Sequence, residues 1–342
     1  MTGEPNPWVL PGLGRWLDDL ARRLDHGLCV LPPDPGRPPG VTQALLGHMQ
    51  LHPVECRAIP SQSPAAALAE VFGTAPTLDA LLNPVLDQEL AIIFLSEIEP
   101  DDAAAWSMFF QRFLDARASG RVGPALLVAN LPVGLEVPEE ALPLSWRTGV
   151  RRGDRVIWAE EHLPATRDGL AADLAVVLAV ELCAWRLDLA ALLVQAGLGD
   201  LADPVAWLSG RAEAPIFGEV PQCPLAVLAA RRISEVQQRI WKAQLTALFP
   251  EIESRRLEIV ATHRRRLQLD DHLRSLGVTS IEEIELGALR FQLRRYLSRP
   301  EVEALDLLVR ARNALAHRQP VKPDDALQLL RTSNIETAGQ LD

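Results

Sequence analysis

"ELAIIFLSEIEP", residues 89–100, decides how this chain is read. Leu90 to Leu95 form an unbroken apolar run with Ile92, Ile93 and Phe94 at its centre. A strand with one wet face alternates apolar and polar residues. A run without alternation belongs to a strand covered on both sides, as in a parallel sheet between helices. "DDAAAWSMFFQRFLDARASG" (101–120) follows and reads as a helix, and "PALLVANLP" (124–132) reads as a second buried strand. Strand, helix and strand in succession predict parallel neighbours joined by a crossover.

Working back toward the N-terminus, "GLGRWLDDLARRLD" (12–25) repeats Leu13, Trp16, Leu17, Leu20 and Leu24 at helical spacing. A short strand is expected within "HGLCVL" (26–31), then a Pro- and Gly-rich loop and a new helix. "VECRAI" (54–59) is a further strand. "SPAAALAEVFG" (63–73) is a helix that Ser63 caps and Gly73 ends. "RVIWAE" (155–160) reads as a weaker strand. Asp101-Asp102 and Glu139-Glu140 read as charges favoured at helix starts, not as catalytic pairs.

Beyond about residue 165 the strand signal fades. "LAADLAVVLAVELCAWRLDLAALLVQAG" (170–197) is the most apolar long stretch. Asp173, Glu181, Arg186 and Asp188 exclude it as a membrane span, so it reads as buried helix. Residues 209–225 read as a linker. From 226 to 331 the pattern is helical throughout, in four helices with Pro250 and Pro300 at helix starts. The fold class expected is thus α/β with a mainly parallel sheet, followed by an all-α bundle. The domains expected are 1–165, a helical lid and linker over 166–221, a bundle over 222–335, and a tail over 336–342. The ending "TSNIETAGQLD" reads as frayed.

The chain has 342 residues, 48% of them hydrophobic, which is enough for more than one real core. Its formal net charge of −11 excludes a protein that coats nucleic acid uniformly. Arginine is nonetheless concentrated between Arg231 and Arg299, including Arg255-Arg256, Arg264-Arg265-Arg266 and Arg294-Arg295. These runs alternate with Glu251, Glu253, Glu258 and Asp270-Asp271, as on a solvated helix surface, although a local basic face is compatible with them. Cys29, Cys56, Cys183 and Cys223 form no CxxC pair and read as buried thiols of a reducing cytoplasm. The first residues lack the pattern of a signal peptide, so a cytoplasmic location is expected. The heavy use of Ala, Leu, Pro and Arg looks like a GC-rich bacterial genome.

Three motifs bear on chemistry. His48 and His52, in "HMQLH", have the i, i+4 spacing of a metal pair. Met49 stands where the zinc-protease version needs Glu, Pro53 closes the helix, and a third ligand is not in sight, so no metal is expected. In the front half, strand, glycine loop and helix occur in the order of a phosphate-binding loop. The loop reads "PDPGRPPGVTQALL", with Gly36, Gly40 and Thr42 at suggestive places. Val41 occupies the position of the lysine, the loop is one residue short, and its prolines remove N–H donors. The strand "LAIIFLSE" ends in Ser96-Glu97 where an ATPase carries Asp-Glu, and "LLVAN" ends in Asn130, where a polar sensor would stand. Residues 10–165 therefore resemble a degenerate AAA+ or STAND-type ATPase domain. That resemblance implies a nucleotide site at Gly36, Gly40, Thr42, Glu97 and Asn130, with the hydrolytic groups lost.

The third motif is "LVRARNALAHRQPV" (308–321), late in the helical half. Arg312-Asn313-x-x-x-His317 resembles the Rx4–6H motif of HEPN domains, over about residues 222–335. The resemblance implies metal-independent RNA cleavage, with Arg312 and His317 as catalytic residues, Asn313 orienting one of them, Glu285 in support, and two copies sharing a cleft. Histidine suits proton transfer near neutrality, and the arginine fork suits a phosphorane. No cofactor is required for such cleavage, and ATP or ADP would belong only to the front domain. The expected partners are RNA and either defence-complex proteins or a second copy, with no membrane. The whole reads as a prokaryotic defence or stress effector. Two alternatives stay open: a non-enzymatic subunit of a defence assembly, in which Arg312, His317 and Arg318 merely suit a helix C-terminus, and a nucleotide-binding regulator without hydrolysis.

Overall fold

The computed structural model describes residues 5–31, 34, 36–50, 53–57, 62–82, 92–96, 98–129, 135–211 and 223–338. It divides into two compact units, Met1–Asp154 and Arg155–Asp342.

The first unit is built on helix α1 (Pro11–Asp25), strand β1 (Leu28–Leu31), α2 (Val41–Met49), β2 (Pro53–Arg57), α3 (Pro64–Phe72), β3 (Ile92–Ser96), α4 (Ala103–Ala118) and β4 (Ala125–Ala129). The strands form a parallel sheet in the order β1-β4-β3-β2. Leu28 pairs with Leu126, Ile93 with Leu126, and Val54 with Ile93. The strand that opened the analysis is therefore internal, with β4 on one side and β2 on the other. Period-two alternation distributes its neighbours between two cores. Leu28, Val30, Ile93, Leu95, Leu126 and Val128 pack with Trp106, Phe110 and Phe113 of α4 and with Leu68 of α3. Against β1 and β4 lies α1, whose Leu13, Trp16, Leu17, Leu20 and Leu24 are all buried. Ile93 and Leu95 of β3 are buried against α3 and α4, and Phe94, on the other face, is half-buried.

Local signals act where they were read. The Ser63 hydroxyl accepts the Ala66 N–H at 3.3 Å, and Gly73 closes α3 in the left-handed region at φ +60°. Asp154, only 3% exposed, accepts the Gly12 N–H and the Arg151 N–H, each at 2.8 Å. Its carboxylate thereby satisfies a first-turn donor of α1. A side chain on Gly12 would meet the Gly149 carbonyl oxygen at 2.0 Å, so only glycine fits there.

Two readings are corrected here. "RVIWAE" is not a strand: it lies in helix α5 (Arg152–Glu161). Trp158 and Ala159 are buried while Ile157 is exposed, and the Trp158 and His162 rings meet one turn apart at 4.1 Å. Six residues were too few to separate alternation from one turn of amphipathic helix. Pro250 does not start a helix either. It sits inside α8 (Ile233–His263), which is continuous.

The second unit contains α6 (Gly169–Leu182), α7 (Leu187–Val194), α8, α9 (Leu286–Leu293), α10 (Arg299–Ala316) and α11 (Pro323–Ala338). The very apolar α6 is its centre, packing against α7, α8 and α11. Leu170, Leu174, Leu178 and Leu182 of α6 are buried, each contributing about 1.5–3 kcal/mol. The contacts divide the two units at 154/155, and α6 and α7, within the segment expected as a lid, belong to the second unit, where α6 packs against α8 and α11. Along α8, Val236, Ile240, Ala243, Ala247, Leu248 and Ile252 continue one buried stripe through the proline. That stripe offsets the roughly 3 kcal/mol that proline costs inside a helix. The ending expected to fray continues α11 as far as Ala338. Among the described residues no helix is long and apolar enough to cross a membrane.

Candidate functional site

The Arg312 motif occupies the last turn of α10. That helix begins with a reciprocal cap: the Ser298 N–H donates to Glu301 at 2.7 Å, with Pro300 in the first turn. Leu305, Leu308, Ala311 and Leu315 form its buried face. Arg312 lies beside that face, and its guanidinium donates to Glu285 Oε1 at 2.8 Å. Arg312 is 31% exposed and Glu285 66%, so the pair adds at most about 1 kcal/mol to stability. Its effect is to aim the guanidinium. Arg310, two residues earlier, donates to Asp325 at 2.7 Å. This bond raises the Arg310 pKa and fastens α10 to the first turn of α11.

His317 is the C-cap of α10 and is exposed, as is Asn313. The His317 N–H donates to the Asn313 carbonyl at 3.0 Å, and the Gln319 N–H reaches the Ala314 carbonyl at 2.9 Å. Arg318 takes the left-handed conformation that closes the turn, at φ +58°. Two side chains of α8 flank this turn. The Trp241 indole donates to the Leu315 carbonyl at 2.8 Å, and Gln244 accepts the Val321 N–H at 2.7 Å. Sequence reasoning missed both, since nothing near Trp241 or Gln244 in the chain points to residues 315–321.

The helix geometry separates the motif's two ends. Five residues correspond to about 140° of rotation and about 7.5 Å of rise. On an ideal helix Arg312 and His317 would therefore not share one face, although His317 stands at the C-cap, where α10 ends.

The glycine loop leaves the carboxyl end of β1. Gly36 and Gly40 both have positive φ, +82° and +80°, and Gly40 precedes the first residue of α2. Thr42 is half-buried in that helix's first turn. Asp34 accepts the Trp146 indole N–H at 2.8 Å and is ion-paired with Arg147. The Trp8 indole donates to the Pro39 carbonyl at 2.8 Å. Burial, opposed by Asp34, lowers the pKa of Arg37. These residues do not fit a nucleoside triphosphate. The loop presents a carboxylate already paired with arginine, and Val41 stands where a lysine would meet the outer phosphates. Glu97 and Asn130 lie outside the described residues.

His48 Nε2 lies 2.8 Å from Asp18 Oδ1, and His52 lies outside the described residues. Among the described residues no group of three His, Cys, Asp or Glu could hold a metal. Burial pushes the Cys29 thiol up to about 12 and raises Cys183 further.

The arginine runs separate into two kinds. Arg255 pairs with Glu251 at 2.7 Å, Arg256 with Glu253 at 2.8 Å, and Arg264 with Glu282. These are the solvated ion pairs that the alternation implied. Arg265, Arg266, Arg294 and Arg295 make no ion pair among the described residues.

Compared with protein-family models, with curated proteins and with solved structures, the chain finds no match.

Proposed function

We propose that the second unit cleaves RNA without a metal ion, through Arg312, Asn313 and His317, and that the first unit controls it without hydrolysing ATP. The carrying observation is the Arg312–Glu285 bond at 2.8 Å, which holds a partly exposed guanidinium one turn before an exposed histidine. In the reaction the RNA 2′-oxygen bonds to phosphorus while the bond to the 5′-oxygen breaks. An imidazole takes the 2′-hydroxyl proton, and water gives the leaving 5′-oxygen its proton. A guanidinium has five N–H donors, so Arg312 can keep Glu285 and still bond a phosphorane oxygen. Arg312 and His317 do not stack on one helical face, so the complete site forms either where α10 ends at His317 and both meet one phosphate, or with Arg312 from one copy and His317 from a second. In a bacterial cell this activity is that of a defence or stress effector.

A second reading rests on the same turn. The backbone bonds at His317 are those of an ordinary helix end, Trp241 and Gln244 brace the turn as packing would, and Glu285 already balances Arg312. On that reading the unit is a structural contact in a larger assembly. The two are separated by incubating purified protein with mixed RNA in EDTA, wild type beside His317→Ala. Cleavage that disappears in the variant supports the nuclease. Equal inactivity of both proteins, as dimer and at high concentration, supports the structural contact.

A further inference from the structure

The second unit carries a cleft of about 880 Å³ with a concentration of arginine in its lining. Five arginines face it, Arg265, Arg266, Arg290, Arg294 and Arg295, against a single carboxylate, Asp270. Arg290 is offset by Asp306. For the other four no ion pair is found among the described residues, although Glu301 feels the charge of Arg266. On a protein of formal charge −11, such a concentration of unbalanced guanidinium groups is a local exception.

Two aromatic rings stand in the same cleft. Phe291 is 85% exposed and Tyr296 45%. An apolar ring left in water beside cations is poorly explained by packing, since its burial would add about 2 kcal/mol. The Arg266 and Arg295 guanidinium groups lie over the Tyr296 ring, 5.2 and 4.9 Å from its centre. The cleft is also braced. Gln292 of α9 accepts the Gln268 N–H at 3.0 Å and donates to the Gln268 carbonyl at 2.9 Å. That pair fixes the segment after Arg266 against α9.

We infer that this cleft binds single-stranded RNA, with phosphates on Arg265, Arg266, Arg294 and Arg295 and bases stacked on Phe291 and Tyr296. Cations that track a backbone, combined with exposed rings that accept any base, are how proteins hold single strands without reading sequence. Continuity with the motif supports RNA as the occupant. An adjoining hollow of about 650 Å³ shares Asp270, Gly287, Phe291 and Gln292 with the cleft. Glu285, which holds Arg312, lines that hollow. The cleft thus borders, at Phe291, the hollow whose Glu285 holds Arg312; Asp270, Glu283 and Glu285 line that hollow, so the phosphates stay on the arginines of the cleft. The choice of RNA rests on the function proposed above, while the cleft itself does not.

The test uses the full-length protein and a fluorescent 12-nucleotide 2′-O-methyl uridine strand, which cannot be cleaved by 2′-hydroxyl attack. Anisotropy at several salt concentrations gives affinity and its salt dependence. Phe291→Ala is expected to weaken binding about fivefold to a hundredfold, as the loss of one stacked base does. Arg265→Ala with Arg294→Ala is expected to reduce the slope of log affinity against log salt by about 1.4, at 0.7 per phosphate contact. Unchanged thermal melting of these surface variants establishes that they fold. A wild type that does not bind, variants that bind equally well, or equal binding of an oligoglutamate would each overturn the inference. Cleft-dependent binding without cleavage of ordinary RNA would leave the cleft standing and favour the structural-contact reading of the motif. Cleavage indifferent to the cleft variants would do the reverse.

Discussion

Replacing Asp154 with asparagine tests how the first unit is closed. The carboxylate is 3% exposed and accepts two backbone N–H groups at 2.8 Å, from Gly12 in the first turn of α1 and from Arg151. An asparagine of the same shape offers one oxygen and turns an NH₂ toward the second N–H. One charge-assisted bond is lost, about 1.5–3 kcal/mol, together with about 0.3–1 kcal/mol of attraction to the helix dipole. The total is about 2–4 kcal/mol. Hydrogen exchange read by mass spectrometry on peptides from α1 and β1 measures it without assuming that the whole chain unfolds in one step. At 1.4 kcal/mol per tenfold, their slowest amides should exchange about 30-fold to several-hundred-fold faster. Asp154→Ala should exceed this, and Glu160→Gln, an exposed change in α5, should do nothing. Acceleration of less than threefold in Asp154→Asn would refute the reasoning.

Pro250→Ala should stabilise the second unit by up to about 3 kcal/mol, because Pro250 is exposed inside α8 and alanine restores a helical N–H; urea denaturation followed on α8 would show it. Arg318→Gly should add about 1 kcal/mol by relieving a left-handed non-glycine residue at φ +58°, seen as a higher melting temperature. Trp241→Phe should cost about 1 kcal/mol, the indole bond to the Leu315 carbonyl, and should lower any RNA cleavage more than RNA binding. Above pH 9 the unfolded Cys29 thiol ionises while the buried one, at about 12, keeps its proton. The unfolded chain then binds fewer protons, so stability falls by about 1.4 kcal/mol per pH unit for this group, and Cys29→Ala should remove that share from an alkaline denaturation series.

The legible parts of the fold were those in which local pattern and burial agree. The run at Leu90–Leu95 announced an internal parallel strand, and Ser63 and Gly73 marked both ends of α3. Pro250 misled because a long apolar stripe against α6 outweighs a local helix penalty, and that partner lies some seventy residues earlier. The partners of α6 were likewise not readable, since an all-apolar helix records that it is buried but not by what. The Arg312 motif was legible as residue types. Glu285, in the upstream stretch "IELGALRFQL", was read as support for the site without its bond to Arg312, whereas Trp241 and Gln244 were not read at all. Phe291 and Tyr296 carried a signal that could have been taken up: both interrupt "RFQLRRYL", an arginine-rich stretch in which exposed aromatics have no packing reason to recur.

Pro250 has a mechanical consequence. Toward the N-terminus of α8, Ala243, Ala247 and Leu248 are held in the bundle; toward the C-terminus the helix ends beside Arg264. Fourteen residues of helix make an arm of about 21 Å. A change of about 10° at the missing hydrogen bond would swing the end of that arm through about 4 Å, roughly one amino-acid step along an extended chain. Ile252 and Val260 pack this arm and Arg256 ties it to the Glu282 and Ile284 carbonyls, so a bend at Pro250 would have to shift those contacts before it moved the arginines at the tip.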